Sequence, residues 1–229
     1  MEMIDVKRKR ASISQDIKIK KEYEKFILKN DHPCMMAKTV FSMDKVELKT
    51  YQELGSLETA KRLFKDLENY IEKYNFESND FKTFMAVFPE SPEYSEISFE
   101  KLLWKQLQYL HNLDDKRWDP EVSTNSIDEN FSFSIGGKAF YIVGLHPNSS
   151  RLARQSPYPT LTFNLHWQFE KLREMGSYEA VRDRIRDRDI KLQGNINPML
   201  EDFGNSSEAK QYSGRKVEKE WKCPFHHNN

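Results

Sequence analysis

Five side chains able to do chemistry fall within one short stretch: His146, Ser149, Ser150, Arg151 and Arg154. They follow Ala139 to Leu145, an apolar run rich in β-branched and aromatic residues, which predicts a strand buried on both faces. An imidazole, two hydroxyls and two guanidiniums at the end of such a strand suit an anion, because an arginine fork binds carboxylate or phosphate through parallel hydrogen bonds. A second apolar run, Thr160 to Leu165, predicts the returning strand and delivers His166 at its end, where a helix begins near Trp167. Two histidines therefore stand just past the ends of two strands.

The elements that must position them follow from period and punctuation. A helix is expected over about 14–29, stopped by His32-Pro33. Ala37 to Met43 and Val46 to Tyr51 read as short strands with Asp44-Lys45 at their turn. Ser56 caps an amphipathic helix whose apolar stripe runs from Leu57 to Tyr74. Phe81 to Phe88 predicts another strand, and Ser98 a cap for the helix carrying Phe99, Leu102, Leu103, Leu107 and Leu110. A polar loop spans about 112–130. Gly136-Gly137 between Phe131 to Ile135 and Lys138 to Leu145 predicts a tight antiparallel hairpin, since two glycines supply the positive φ angles it needs.

A helix from His166 to Met175 ends at Gly176, and Ser177 caps the next, whose charges from Arg182 to Asp189 read as a solvated, self-paired surface. From Leu192 to Arg215 the chain loses periodicity but keeps amide, aromatic and apolar side chains, as an ordered irregular segment that carries a site would. Trp221 to Phe225 supplies an aromatic anchor. The expected fold is α+β: a mostly antiparallel sheet packed by amphipathic helices, with a long irregular C-terminal segment over the core. Residues 1–15, including Lys7 to Arg10, are expected to be a flexible basic tail, 16–225 a single domain and 226–229 a loose end.

The chain has 229 residues, with 36 basic side chains against 36 acidic. A chain of this size buries roughly 70 % of its unfolded surface, enough for a core with an internal pocket. Charge neutrality gives no global field for nucleic acid or membranes, so the expected partner is a small molecule. No apolar run approaches the roughly 18 residues of a membrane span, and the N-terminus lacks the apolar core of a secretory signal. A cytoplasmic location is expected, with Cys34 and Cys223 as free thiols.

Separated blocks of this sequence resemble the bacterial YqcI/YcgG family. They are HPC at His32 to Cys34, GLHPNSSR at Gly144 to Arg151, FNLHWQFEKLR at Phe163 to Arg173, LQGNINPMLEDFG at Leu192 to Gly204, SEAKQYSGR at Ser207 to Arg215, and WKCPF at Trp221 to Phe225. The family includes haem-dependent N-hydroxylases of guanidino groups or related nitrogen compounds, so the resemblance implies haem b with its iron. Haem needs one strong axial donor, a flat apolar slot and cationic or hydroxyl groups for its propionates. His166, His146 and His32 are the imidazole candidates, His166 first because a strand end and a helix mount it rigidly. Cys34 and Cys223 are the thiolate alternatives, and His111 is explained by packing. Arg151 and Arg154, with Ser149 and Ser150, are expected at the propionates or a substrate carboxylate. Asp202, Glu208, Asn195 and Asn197 are the expected acceptors for a guanidinium, although Asp202 has the plain alternative of pairing with a nearby arginine.

The implied activity is a monooxygenase that hydroxylates a guanidino or amine nitrogen of a small metabolite, using dioxygen and an external electron donor. The sequence has no GxGxxG, so it carries no sign of its own dinucleotide domain. A haem-binding sensor or carrier without turnover is the reading from another class. A third makes Cys34 a nucleophile paired with a histidine. Substrate identity, redox partner and oligomeric state stay open.

Overall fold

In the computed structural model, which describes residues 14–228, one sheet contains β1 (Val46–Thr50), β2 (Thr83–Val87), β3 (Phe133–Ile135), β4 (Lys138–Leu145) and β5 (Thr160–Leu165). Their spatial order is β1-β2-β5-β4-β3, with β1 parallel to β2 and every other pairing antiparallel. The helices are α1 (14–24), which continues as a π-helical turn at Lys25–Lys29, then α2 (Met35–Ser42), α3 (Leu57–Glu72), α4 (Glu96–Leu113), α5 (His166–Glu174), α6 (Tyr178–Gln193) and α7 (Ala209–Tyr212). The fold is the mixed α+β architecture with a mostly antiparallel sheet that the sequence predicts. The expectation for Lys7 to Arg10 lies outside the described residues.

Strand alternation divides the sheet into two unlike faces. Along β5, Leu161, Phe163 and Leu165 join Phe84, Phe140 and Ile142 in a core against α3 and α4. Thr162 and Asn164 point to the opposite face, where Met85, Val143, Leu145 and Tyr141 also lie. One end of that second face is closed by Ile19, Tyr23 and Ile27 with Val40 and Phe41 of α2. The sheet therefore buries an apolar core on one side and a partly polar surface on the other. The hairpin between β3 and β4 turns on Gly136 at φ 60° and Gly137 at φ 73°, the positive pair that its two-residue turn demands.

Several expectations are corrected. Ala37 to Met43 is helical: Cys34 keeps an extended backbone after Pro33, and its Sγ accepts the Ala37 N–H at 3.4 Å, which caps α2. Short apolar runs fit either period, and here the cap decides. Ser95, rather than Ser98, caps α4; its side chain accepts the Ser98 N–H at 3.2 Å. The charged run of α6 is a self-paired solvated surface only in part: Arg182 meets Asp183 at 2.8 Å and Asp183, Arg184 and Asp187 are exposed, but Arg182, Arg186, Arg188 and Asp189 reach across to Asp202, Asp31 and Arg151. Residues 226–228 are not loose: the His226 N–H donates to Gln108 Oε1 at 2.9 Å and the Asn228 N–H to His111 Nε2 at 3.1 Å. Phe225 does act as the expected anchor, packed among Trp104, Trp118, Phe131 and Phe133. Among the described residues no helix is long and apolar enough to cross a membrane.

Candidate functional site

The second face of the sheet is the floor of a cavity of about 320 Å³. Its walls are α2 (Met36, Ala37, Val40, Phe41), α5 (His166, Phe169, Leu172), α6 (Val181, Ile185, Asp189) and the segment from Asn197 to Phe203. Glu208 and Gln211 close it near α7. The volume is in the range of pockets that enclose a cofactor or small ligand, roughly 300 to 1,000 Å³. Most of the lining is apolar, and a few polar groups converge on it.

The three candidate histidines have three different environments. His166 is buried, lines the cavity and packs against Phe203 with ring centroids 4.4 Å apart. Its Nε2 meets Glu170 Oε1 at 3.1 Å, one helical turn on, while Nδ1 has no hydrogen-bond partner and lies 4.0 Å from Glu208 Oε1. Burial holds its pKa below the ordinary value and keeps the ring neutral. A proton on Nε2, donated to Glu170, leaves the Nδ1 lone pair available beside the cavity.

His32 also lines the cavity, but both nitrogens are committed. Nε2 lies 2.9 Å from Ala153 O, and Nδ1 accepts the Cys34 N–H at 3.2 Å. Burial pushes its pKa down to about 4, so it ties the chain before α2 to the loop after β4 as a neutral ring. His146 emerges on the α4 side of the sheet, stacked on Phe99 at 4.4 Å, and does not line the cavity.

The two arginines separate as clearly. Arg151 borders the cavity but already holds a carboxylate: its guanidinium pairs with Asp189 Oδ2 at 2.5 Å, donates to Asn195 O at 2.9 Å and also contacts Asn195 Oδ1. Arg154 lies deep in the molecule, yet part of its surface stays open because it borders the cavity. It donates to Gly144 O at 2.9 Å, with longer contacts of 3.4 Å to the carbonyls of Tyr212 and Gln211. No carboxylate pairs with it among the described residues, and Asp189, which attracts it, is taken by Arg151. Ser149 and Ser150 stand outside the cavity and shape the loop: Ser149 Oγ accepts the Arg151 N–H, and Ser150 binds Glu96 through N–H and hydroxyl.

Of the expected acceptors, Glu208 borders the cavity with Oε2 accepting the Tyr212 hydroxyl at 3.2 Å and Oε1 4.0 Å from His166 Nδ1. It is buried, and loss of hydration pushes its carboxyl up to about 8, so it is a neutral acid at pH 7. Asp202 lines the wall but is bound by Arg182 at 2.7 Å and Arg186 at 2.9 Å, the plain alternative foreseen for it. Asn195 is exposed and serves Arg151, while Asn197 is buried in the wall and its Oδ1 accepts the Met199 N–H. Cys34 borders the cavity with its thiol pushed up by burial, whereas Cys223 belongs to the core on the other face.

The cavity also gathers residues that the sequence reading did not single out: Asp189, Thr162, Asn164, Tyr141 and Gln211. Four buried polar atoms of lining residues have no protein partner: His166 Nδ1, Thr162 Oγ1, Arg186 Nε and Asp189 Oδ1. Such atoms cost about 1 to 3 kcal/mol each when left unpaired, and they mark where a ligand gains most. The alternation Thr-Leu-Thr-Phe-Asn-Leu in β5 was the available signal for Thr162 and Asn164.

The profile of the YqcI/YcgG family matches residues 23–226. Two Bacillus subtilis (strain 168) proteins are similar along most of their length. Uncharacterized protein YcgG is 26 % identical over 207 residues, covering 84 % of this chain and 80 % of the relative. Uncharacterized protein YqcI is 26 % identical over 209 residues, covering 86 % and 81 %. No solved structure matches.

Proposed function

The chain belongs to the YqcI/YcgG family, and from that premise we propose that it is a haem-dependent monooxygenase that hydroxylates a guanidino or amine nitrogen of a small metabolite. Dioxygen and an external electron donor are its co-reactants. The observation that carries the reading is the pairing, in one apolar cavity, of an uncommitted imidazole nitrogen, His166 Nδ1, with a deep guanidinium, Arg154, that has no carboxylate of its own.

These residues fit the cofactor. His166 offers the single strong donor, and its Nε2–H held by Glu170 is the outer hydrogen bond that fixes a ligating ring. Met36, Val40, Phe41, Met85, Val143 and Ile185 supply the apolar wall. Arg154 supplies the cation for a propionate. Bound there, haem would supply the activation of dioxygen that no side chain can perform.

The chain's own residues do the rest. Asp189 borders the cavity with Oδ2 held by Arg151 and Oδ1 buried without a partner, which leaves one carboxylate oxygen unspent for a substrate N–H. Glu208, protonated at pH 7, can accept through its carbonyl oxygen or release a proton toward the cavity. Tyr141 donates to Gln211 Oε1 at 2.9 Å, which fixes the amide beside Arg154. Apolar walls exclude bulk water and strengthen each of these contacts.

Purified protein titrated with haem, then given reductant, dioxygen and a panel of guanidines and amines, tests the proposal. A haem absorption band followed by substrate-dependent dioxygen consumption and an N-hydroxylated product is the expected result. Haem binding without consumption across the panel would favour a sensor or carrier, and no haem band would remove both.

A further inference from the structure

A second cavity, of about 450 Å³, opens at the β1 edge of the sheet and shares no lining residue with the site above. Because β1 and β2 run parallel with Val46 opposite Thr83, the residues before that pair, Lys45 and Lys82, emerge at one end of the sheet. The last turn of α3 and its exit bring Tyr70, Lys73 and Tyr74 to the same end, and Lys20 arrives from α1. Four ammonium groups therefore face two carboxylates, Asp44 and Glu47.

Most of these charges are accounted for. Lys20 pairs with Asp44, Lys45 with Asp80 at 2.8 Å, and Glu47 with Lys49 at 3.4 Å. Lys73 and Lys82 have no carboxylate partner among the described residues, and Lys82 Nζ sits 5.8 Å from the centre of the Tyr74 ring. Tyr70 is 4 % exposed, borders this cavity, and its buried hydroxyl has no hydrogen-bond partner. Lys73, Lys82, which only shares Asp80 through space with Lys45, and one unspent phenol donor match a doubly charged tetrahedral anion, for which lysine is a good point-charge partner.

We propose that this cavity is a second binding site, for the phosphate group of a small phosphorylated molecule, held by Lys73, Lys82 and the Tyr70 hydroxyl. Glu47 lies beside Tyr70 and opposes an anion; Lys49, which it shares with Asp66 at 2.7 Å, lies 3.4 Å from it and offsets part of its charge.

Amide shifts followed by NMR during titration with inorganic phosphate test this on the intact protein, with sodium acetate and sodium chloride at matched ionic strength as controls. Saturable shifts confined to the surroundings of Val46, Lys73 and Lys82, half complete at about millimolar phosphate, are expected. Lys73→Met with Lys82→Met should weaken binding at least tenfold, and Tyr70→Phe severalfold, while both variants keep the parent's dispersed spectrum. Absence of saturable shifts, equal shifts with acetate, or undiminished phosphate binding in the double variant would overturn the proposal.

Discussion

Glu208 carries a pH signature that can be read without a ligand. Its folded pKa, about 8, lies above the 4.5 of an ordinary glutamate, so between those values the folded chain holds a proton that the unfolded chain has released. Stability therefore falls as pH rises through that window, by at most about 1.4 kcal/mol per unit from this one group. Urea unfolding should show that decline between about pH 6.5 and 8, above the range in which His32, His146 and His166, held neutral by burial, raise stability with pH, and Glu208→Gln should flatten it; an equally steep decline in the variant would contradict the assignment. The arginines make an opposite pair. Arg151→Ala strands Asp189 in the interior and should cost about 3 to 5 kcal/mol of stability. Arg154→Met leaves no buried carboxylate unpaired and should instead weaken haem affinity roughly ten- to a hundredfold, as expected for one lost charge-assisted contact of about 1.5 to 3 kcal/mol. Haem titration and denaturation of both variants check the contrast, which reverses if Arg151 is the propionate partner.

Among the elements, α6 is held differently from α3. Leu63 and Leu67 of α3 are fully buried in the core, whereas Asp189 is the one buried residue of α6. Ion pairs span from α6 to its surroundings: Arg151 to Asp189, Arg182 and Arg186 to Asp202, and Arg188 to Asp31. Screening shortens from about 10 Å at 0.1 M salt to about 3 Å at 1 M, and pairs this exposed at Arg182, Arg186 and Arg188 feel it. Hydrogen exchange in α6 should accelerate severalfold in 1 M sodium chloride while α3 stays unchanged; uniform behaviour of the two helices would show that α6 is held by packing. Gly144 marks the other extreme, since a Cβ there would meet Tyr212 O at 2.7 Å and Leu103 and Phe99 at 2.8 Å. Gly144→Ala should therefore destabilise by about 1 to 3 kcal/mol in thermal unfolding. Strands and helices with long periodic stripes, such as α3 and β5, were legible in the sequence. The role of α6 was not, because alternating charge looks the same whether the partners lie on the helix or across from it.

Across the whole molecule, one sheet serves two purposes. Its α3/α4 face is filled by Phe84, Phe140 and Phe163, while its other face leaves room beneath α2 and α6. The hairpin, the strand ends and His166 could be placed from the sequence, since local turn chemistry and period fix them. What separated Arg154 from Arg151, or His166 from His32, could not: those differences rest on Asp189, Asn195 and Ala153, which tertiary packing brings from distant parts of the chain. His166 Nδ1 is the donor we propose for haem in this cavity. Haem titrated into the parent protein, His166→Ala and His146→Ala, followed by absorption of the ferric and the ferrous carbon monoxide forms, tests it most directly. A histidine-type spectrum is expected at one equivalent in the parent and in His146→Ala, with its loss in a folded His166→Ala. An unchanged spectrum in His166→Ala, or the red-displaced carbon monoxide band of a thiolate ligand, would contradict it.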